Sequence, residues 1–419
     1  MRICIFEDEG YESLYPLSLT RAVFQLKCGQ ITLRERILRS FPGEKTSYFI
    51  RDHLVPIFQK NKPGVSVNDT DVLKNDDVLL INGRWLLGKE ELRQDGHEEA
   101  GVCGKDILYL RVQAKSMKDC FSPNFTELFT SLKQRLKKRQ IKASLITYPW
   151  DLIDNNSRVL REDFDFRNNK GIQGEFSSSA RIYGKEDNAF VAKSAKIQPL
   201  VLLDTEEGPI YIDEEAIVFA HSHIRGPSYI GKRSQILGAK IGEGTSIGPV
   251  CRIGGEVEES IIHGFSNKPH EGFLGHSYVG EWVNLGALCT NSDLKNDYSS
   301  VQVHIKGKLQ DSGVVKVGSF IGDHSKLGIG CLLNTGTVIG VSSNVVAAAG
   351  VLPKFIPSFT WCLNGQFYKG YGFEKMINTA RVVMSRRGVT MSLEEVEMLK
   401  KVFKITEKER DRLIERSRR

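Results

Sequence analysis

FIGDHSKLGIGCLLNTGTVIGVSSNVVAAAGV, Phe320 to Val351, repeats an aliphatic residue every six positions: Ile321, Leu327, Leu333, Ile339, Val345 and Val351. A period of six fits neither an α-helix nor plain strand alternation, whereas hexapeptide periodicity marks a parallel β-helix. The same series runs earlier through Val191, Ile197 and Leu203, then Ile212, Val218, Ile224, Ile230 and Ile236. It slips one residue to Ile241 and continues at Ile247 and Ile253. Three short strands make one triangular coil, each sending one branched aliphatic side chain inward, worth roughly 1.5–3 kcal/mol apiece on burial. A small residue, often glycine, turns the corner, as in Ile230-Gly231, Ile247-Gly248, Ile321-Gly322 and Ile339-Gly340.

Between the two series lies GFSNKPHEGFLGHSYVGEWVNLGALCTNSDLKND, Gly264 to Asp297. Here the repeat breaks, and histidines and turn-forming polar residues gather. A loop projecting from a rigid scaffold is where functional side chains tend to sit, so this stretch is the expected chemical centre.

Upstream, residues 1 to about 145 alternate short apolar runs with helix-like segments: RICIF (2–6), ITLRERILRS (31–40), TSYFI (46–50), DDVLLING (76–83), DILYLRV (106–112) and the amphipathic NFTELFTSLKQRLKK (124–138). Strands alternating with helices predict an α/β domain on a largely parallel sheet, of a small nucleotide-binding type. The expected organisation is an α/β domain over 1–148, a connector over 149–185, the β-helix over 186–365 and a helical segment over 366–419. In that last segment, Ser392 with Glu395 and Thr406 with Glu409 both have the spacing of a capping box.

The chain has 419 residues, 40% hydrophobic and 26% charged, with a net charge of +7. Two or three domains are expected from that length. No apolar run approaches a membrane span, so no membrane role is implied. The start, MRICIFEDEG, lacks the hydrophobic core and cleavage site of a secretory signal, which points to a cytoplasmic protein. The eight cysteines are scattered without a CxxC pair, as expected of reduced, mostly buried thiols rather than disulfides or a zinc site. The basic residues near the C-terminus are mixed in sign and lack interleaved aromatics, so no nucleic-acid partner is implied.

His270, Phe273, Leu274-Gly275, Val279-Gly280 and Asn284-Leu285-Gly286-Ala287 stand at the spacings of a motif of the left-handed β-helix acyltransferases. The whole chain resembles, in shortened form, the family of bifunctional N-acetylglucosamine-1-phosphate uridylyltransferase/glucosamine-1-phosphate acetyltransferases. That resemblance implies a nucleotidyltransferase-like, Rossmann-like α/β N-terminal domain followed by a left-handed parallel β-helix with C-terminal helices. It also implies acetyl-CoA as co-substrate, a sugar phosphate or nucleotide sugar as partner, and a homotrimer with active sites between neighbouring β-helices. The N-terminal match is carried by LYPLSLTRAVFQLKCGQITLRERIL, Leu14 to Leu38, and DDVLLINGR, Asp76 to Arg84. It departs from the family in two places. The glycine-rich phosphate loop is absent, since EDEGYES follows Phe6, and the carboxylate expected to hold Mg is Arg84.

Acyl transfer from a thioester to an amine needs a route for the amine's proton and donors for the oxyanion formed on the carbonyl. A histidine, with its ordinary pKa near 6.5, is suited to take that proton, and His270 is assigned as general base. Asn284 and Phe273 are assigned to the sugar, Lys268 to a phosphate, and Asn291 to substrate or a neighbouring subunit. Backbone N–H groups at Gly286 and Ala287 are assigned to the thioester oxygen. In the N-terminal domain Arg21, Asn82, Gly83 and Arg84 are candidates for nucleotide or phosphate contacts, Arg21 and Arg84 through forked pairing. No metal site is expected; His221, His223, His276 and His324 read as structural or solvated. The leading function is an acyltransferase, most simply an acetyltransferase, of nucleotide-sugar biosynthesis. The alternatives are a sugar-1-phosphate nucleotidyltransferase whose β-helix serves assembly, and a non-catalytic sugar-nucleotide sensor or scaffold.

Overall fold

Each of the sixteen predicted inward positions from Val191 to Val345 is at most 5% exposed, and together they form a single column of apolar side chains. The computed structural model describes residues 1–88, 92, 96–346 and 350–417. Around that column the chain winds a three-sided prism. One face is a ten-stranded sheet from Gly171–Ile172 to Phe355–Ile356. A second is an eleven-stranded sheet from Glu175–Phe176 to Gln366–Lys369, and a third is a six-stranded sheet from Arg181–Tyr183 to Phe273–Gly275. Each strand pairs in parallel with its counterpart in the next coil, except for the closing hairpin of Thr360–Leu363 with Gln366–Lys369. The parallel coils are consistent with a left-handed β-helix.

The structure departs from the periodicity in three places. The first coil starts at Gly171, ahead of residue 186, because Gly-Ile and Glu-Phe form strands without the repeat's aliphatic signature. Val351 is 59% exposed, and Leu352 takes the inward place at 2%, its amide N–H donating to the Leu332 carbonyl at 2.9 Å. Corners are not reserved for small residues. At the corner between the ten- and eleven-stranded faces, Val250, Phe265, Trp282, His324, Ser342 and Phe359 take left-handed φ values of 60°, 53°, 60°, 61°, 55° and 58°. Such a conformation costs roughly 1–2 kcal/mol per residue. Stacking between coils offsets part of it, as where Phe265 lies 4.4 Å from Trp282 at 20°.

The N-terminal domain is built on a seven-stranded sheet. Arg2–Phe6 is an interior strand, parallel to Lys45–Phe49 on one side and to the central Val78–Asn82 on the other. The sheet is less parallel than predicted: Asp106–Val112 runs antiparallel to both Val78–Asn82 and Glu99–Cys103. The linker helix Pro149–Arg167 bolts this domain to the prism. Asn156 accepts from the Gly29 N–H at 2.6 Å and donates to the Gly244 carbonyl at 2.7 Å. Asp163 takes Arg36 and Arg39 at 2.7 and 2.6 Å.

The C-terminal helices Phe373–Ser385, Leu393–Ile405 and Glu407–Ser417 fold back on the prism. Phe403 meets Phe359 edge-on at 5.1 Å, and Glu394 reaches Lys60 of the N-terminal domain at 3.2 Å. Ser392 and Glu395 form the predicted capping box. Thr406 does not, because its hydroxyl donates back to the Val402 carbonyl at 2.9 Å and closes the preceding helix. No helix among the described residues is long and apolar enough to cross a membrane.

The domains are also joined by charge. Arg21 Nη2 meets Asp323 at 2.6 Å and Glu281 at 3.1 Å, and Thr20 donates to the same Asp323 carboxylate at 2.6 Å. Arg21 and Asp323 side chains are each 7% exposed. Breaking one half of a buried pair strands the other charge, typically at about 3–5 kcal/mol. Asp323→Asn is therefore expected to lower unfolding stability by about 3 kcal/mol in urea titration; a change under about 0.5 kcal/mol would show that the pair does not tie the domains.

Candidate functional site

From Ile253 to Glu256 the chain turns one corner in three steps, while the next coil takes five, from Lys268 to Phe273; the ends are paired residue for residue. The longer corner overhangs the shorter one. Lys268 fills the space beneath it. It occupies an inward repeat position in register with Ile253, is 2% exposed, and donates to the carbonyls of Gly254, His270 and Gly272 at 2.9, 3.2 and 2.6 Å. Burial pushes its pKa down to about 8. With all three N–H groups spent on the corner, Lys268 is a prop rather than the outward phosphate contact predicted for it.

His270 stands on that overhang, exposed, and its ring nitrogens have no partner among the described residues. The Asn267–Asn284 register puts Ala287 beside it in the next coil, at the roughly 4.8 Å spacing of paired strands. The Gly286 N–H is used by the ladder, donating to the Leu327 carbonyl at 2.9 Å. The Ala287 N–H has no partner among the described residues. Phe273, half-buried, opens the next strand on the third face. Asn284, half-buried on the eleven-stranded face, lines a cavity of about 230 Å³ with Asn267, Lys326, Arg386 and Arg387. Arg387 donates to Asn267 there at 2.8 Å. Asn291 is turned inward, clamping the Gly275 backbone by accepting from its N–H at 2.9 Å and donating to its carbonyl at 3.0 Å. The structure thus gathers His270, Phe273, Gly286 and Ala287 around one corner, holds Lys268 and Asn291 inside it, and sets Asn284 on the adjoining face in a cavity shared with Phe265 and Trp282.

The N-terminal candidates lie elsewhere. Arg21 is the inter-domain anchor: its Nη2 is held by two carboxylates, and its buried Nη1 has no partner among the described residues. Arg84 grips both oxygens of Asp8 at 2.6 Å each, and its remaining groups reach Asp106 at 3.3 Å and the Ile146 carbonyl at 2.9 Å. Asn82 donates to Asp8 at 2.8 Å and to the Ile107 carbonyl at 2.9 Å. Any side chain at Gly83 would collide with Phe24, and one at Gly10 with the Arg84 guanidinium. Burial tends to raise the Asp8 pKa, but the Arg84 guanidinium and Asn82 outweigh it and hold the carboxyl below its usual range.

Residues 3–171 match the family model described as sugar nucleotidyl transferase. The N-terminal domain is a sugar nucleotidyl transferase domain. The chain is 31% identical over 214 residues to the bifunctional sugar-1-phosphate nucleotidylyltransferase/acetyltransferase of Sulfurisphaera tokodaii, covering 48% of this chain and 44% of that protein. It is 30% identical over 224 residues to the bifunctional protein GlmU of Methanococcus aeolicus, covering 52% and 48%. The chain spans about half the length of the curated relatives it matches. Among solved structures, the UDP-N-acetylglucosamine acyltransferase of Francisella novicida aligns over 57% of this chain and 88% of its own, at 15% identity and a TM-score of 0.20. That superposition is too slight to add to the fold, which rests on the strand ladder.

A sugar nucleotidyl transferase domain raises the question of Mg. Mg²⁺ is held through carboxylate oxygens and substrate phosphates in near-octahedral geometry. Here Arg84 replaces the expected carboxylate and both Asp8 oxygens are bound to its guanidinium, so the residues present do not fit the ion at that point.

Several groups around the Asn284 cavity and the neighbouring coils were not legible as such. Lys326 stands opposite Asn284 in the next coil. Its Nζ donates to the Trp282 and His324 carbonyls at 2.5 and 3.0 Å, and burial pushes its pKa down to about 7. Arg386 and Arg387 reach the Asn284 cavity only because the C-terminal helix Phe373–Ser385 folds back on it; the dipeptide Arg-Arg is the signal the sequence offers. His276, expected to be structural or solvated, bridges Glu259 at 2.9 Å and Asp293 at 2.8 Å. Glu258, His276 and Asp293 offer ligand atoms within 4.8 Å of one another, but both imidazole nitrogens are already bonded to carboxylates.

Burial alone would lower the His276 pKa; the bonds to Asp293 and Glu259 overcome it and raise the pKa to about 9. Because the folded value exceeds the unfolded one, the bridge contributes its full stability below about pH 6.5 and loses it as pH rises through about 9. The contribution is on the order of a few kcal/mol. Denaturant unfolding at pH 6 and pH 9.5 is expected to show wild type losing its stability margin over His276→Gln at the higher pH; a margin unchanged between the two would contradict the bridge.

Proposed function

We propose that this chain transfers an acyl group, most simply acetyl, from acetyl-CoA to the amine of an amino sugar phosphate or a nucleotide-linked amino sugar at the His270 corner. The observation that carries this reading is the pairing, in successive coils, of an exposed unpartnered imidazole at His270 with an unpartnered backbone N–H at Ala287. Acyl transfer needs one group to take a proton from the attacking amine and one to hold the oxyanion on the carbonyl. The amine nitrogen forms its bond to the thioester carbonyl as His270 takes the proton and Ala287 donates to the oxygen. Collapse breaks the carbon–sulfur bond, and the proton passes from His270 to the departing CoA thiolate. Asn284 and Phe273 flank the corner and suit the sugar. Arg386 and Arg387 bring positive charge to the Asn284 cavity and suit the acceptor's phosphate.

The corner is half a site. Leu288, Ile329 and Val346 are 58%, 71% and 46% exposed in successive coils beside Ala287. A run of exposed apolar side chains on a soluble protein marks a contact surface, and the reading takes a second copy of the chain as its cover, in a homotrimer. The Sulfurisphaera tokodaii relative, a bifunctional sugar-1-phosphate nucleotidylyltransferase/acetyltransferase, supports the acetyltransferase reading.

A second reading places the activity in the N-terminal domain, as a sugar-1-phosphate nucleotidyltransferase. The family match over residues 3–171 favours it; the Arg84–Asp8 pair and the missing glycine-rich loop weigh against it.

His270→Ala is expected to lower the rate of CoA release from acetyl-CoA, with glucosamine 1-phosphate or a UDP-linked amino sugar as acceptor, by at least about 100-fold, the scale of general-base catalysis. An unchanged rate in a variant with wild-type circular dichroism would remove His270 from the mechanism.

A further inference from the structure

The corner column between the ten- and eleven-stranded faces is a stack of side chains with one gap. Both flanking ladders put Phe265, Trp282, His324, Ser342 and Phe359 one above another: Ile262, Val279, Ile321, Ile339 and Ile356 pair in succession on one side, and Asn267, Asn284, Lys326, Asn344 and Trp361 on the other. Phe265 stacks on Trp282, and Trp282 lies 6.4 Å from His324 with ring planes at 12°. Ser342 then interrupts the series before Phe359. Two coils separate His324 from Phe359, roughly 9–10 Å at the ordinary strand spacing. That leaves room for one flat ring at the 4.5–7 Å centroid separation that aromatic pairs use.

The gap opens into a cavity of about 450 Å³ between the last coils and the C-terminal helices, in the size range of small-molecule sites. Its aromatic walls include Trp361, Phe373 and Phe403. Two buried polar atoms at its floor have no partner among the described residues: Nδ1 of His324 and the hydroxyl of Ser342, a residue 3% exposed. Buried polar groups left unpaired in this way are uncommon and costly. Lys369 and Lys375 stand exposed at the rim. Of the ionic side chains lining the cavity other than histidine, Lys369, Lys375 and Arg410 are cationic, Lys326 has its pKa pushed down to about 7 by burial, and Glu407 and Asp411 are acidic. The floor therefore offers hydrogen bonds to the edge of a ring, the column offers its faces, and the rim offers positive charge.

We propose that this cavity binds a nucleoside phosphate, its base inserted in the Ser342 gap between His324 and Phe359 and its phosphate at Lys369 and Lys375. The site lies at a different corner of the prism from His270, so it stands or falls independently of the acyltransferase reading. Base stacking on aromatic side chains supplies affinity without strict base choice. Burial pushes the His324 pKa down to about 3, so its ring is neutral near pH 7 and Nδ1 pairs with the base without a charge.

The test is calorimetric titration of the full chain with AMP and UMP, the matching nucleosides and inorganic phosphate, alongside emission from Trp361 assigned through Trp361→Phe. The monophosphates are expected to bind with Kd below about 1 mM and to perturb Trp361. Ser342→Phe, which completes the column with the residue that already adopts this corner conformation at Phe265 and Phe359, is expected to weaken binding at least 10-fold while retaining wild-type circular dichroism. Lys375→Glu, an exposed rim change, is expected to weaken the monophosphates more than the nucleosides and covers the case in which Ser342→Phe misfolds. Absence of heat with every nucleotide overturns the proposal. So does binding untouched by both substitutions, which would place the nucleotide in the N-terminal domain, and so does inorganic phosphate binding as tightly as the nucleotides.

Discussion

The structure depends on register between coils. Each strand of the prism hydrogen-bonds in parallel to the equivalent strand of the next coil, so a residue's place in the repeat fixes its face, its depth and its neighbours above and below. A slip in one coil would turn inward aliphatics outward and displace every corner after it. The apolar column resists such a slip, since inward aliphatics stack on inward aliphatics from coil to coil, with Lys268 over Ile253 as an exception. His270 meets Ala287, and Trp282 meets His324, for this reason: residues 17 and 42 positions apart in the chain share a corner.

That rule explains what was legible in the sequence. Branched aliphatics at a period of six reveal the prism and its inward column. The expected break at Gly264–Asp297 is not one in the structure: Asn267–Lys268, Phe273–Gly275, Tyr278–Glu281 and Asn284–Leu285 carry all three faces through it, and only the aliphatic spelling of the repeat lapses there. It also explains the misreadings. Lys268 looked like a surface residue because nothing local says that it occupies an inward slot; only pairing with Ile253 shows that its ammonium must satisfy carbonyls inside the turn. Val351 held the period on paper, but the ladder fixes Leu352 by its backbone bond to Leu332. Thr406 had the right spacing for a cap, yet two helices in direct succession left its hydroxyl to the preceding turn.

The N-terminal domain shows the same contrast between local and tertiary information. Its strands are readable as apolar runs, and the absence of a glycine-rich loop is visible directly. The consequence of that absence is not: Arg84 has turned back onto Asp8, and Arg21 has been drawn across the domain boundary to Asp323. Both guanidiniums are committed to carboxylates of this chain, in geometries that leave little for a phosphate. Arg21, Thr20, the linker helix and the C-terminal helices together hold the sugar nucleotidyl transferase domain against one face of the prism, leaving the His270 corner outside that contact.

The central claim is that turnover belongs to the β-helix corner and not to the N-terminal domain. It is tested most directly by following two products in one purified sample supplied with Mg²⁺, a nucleoside triphosphate, acetyl-CoA and an amino sugar 1-phosphate. Free CoA is expected to accumulate with acceptor present, without matching pyrophosphate. Pyrophosphate released steadily while CoA stays thioester-bound would contradict the account.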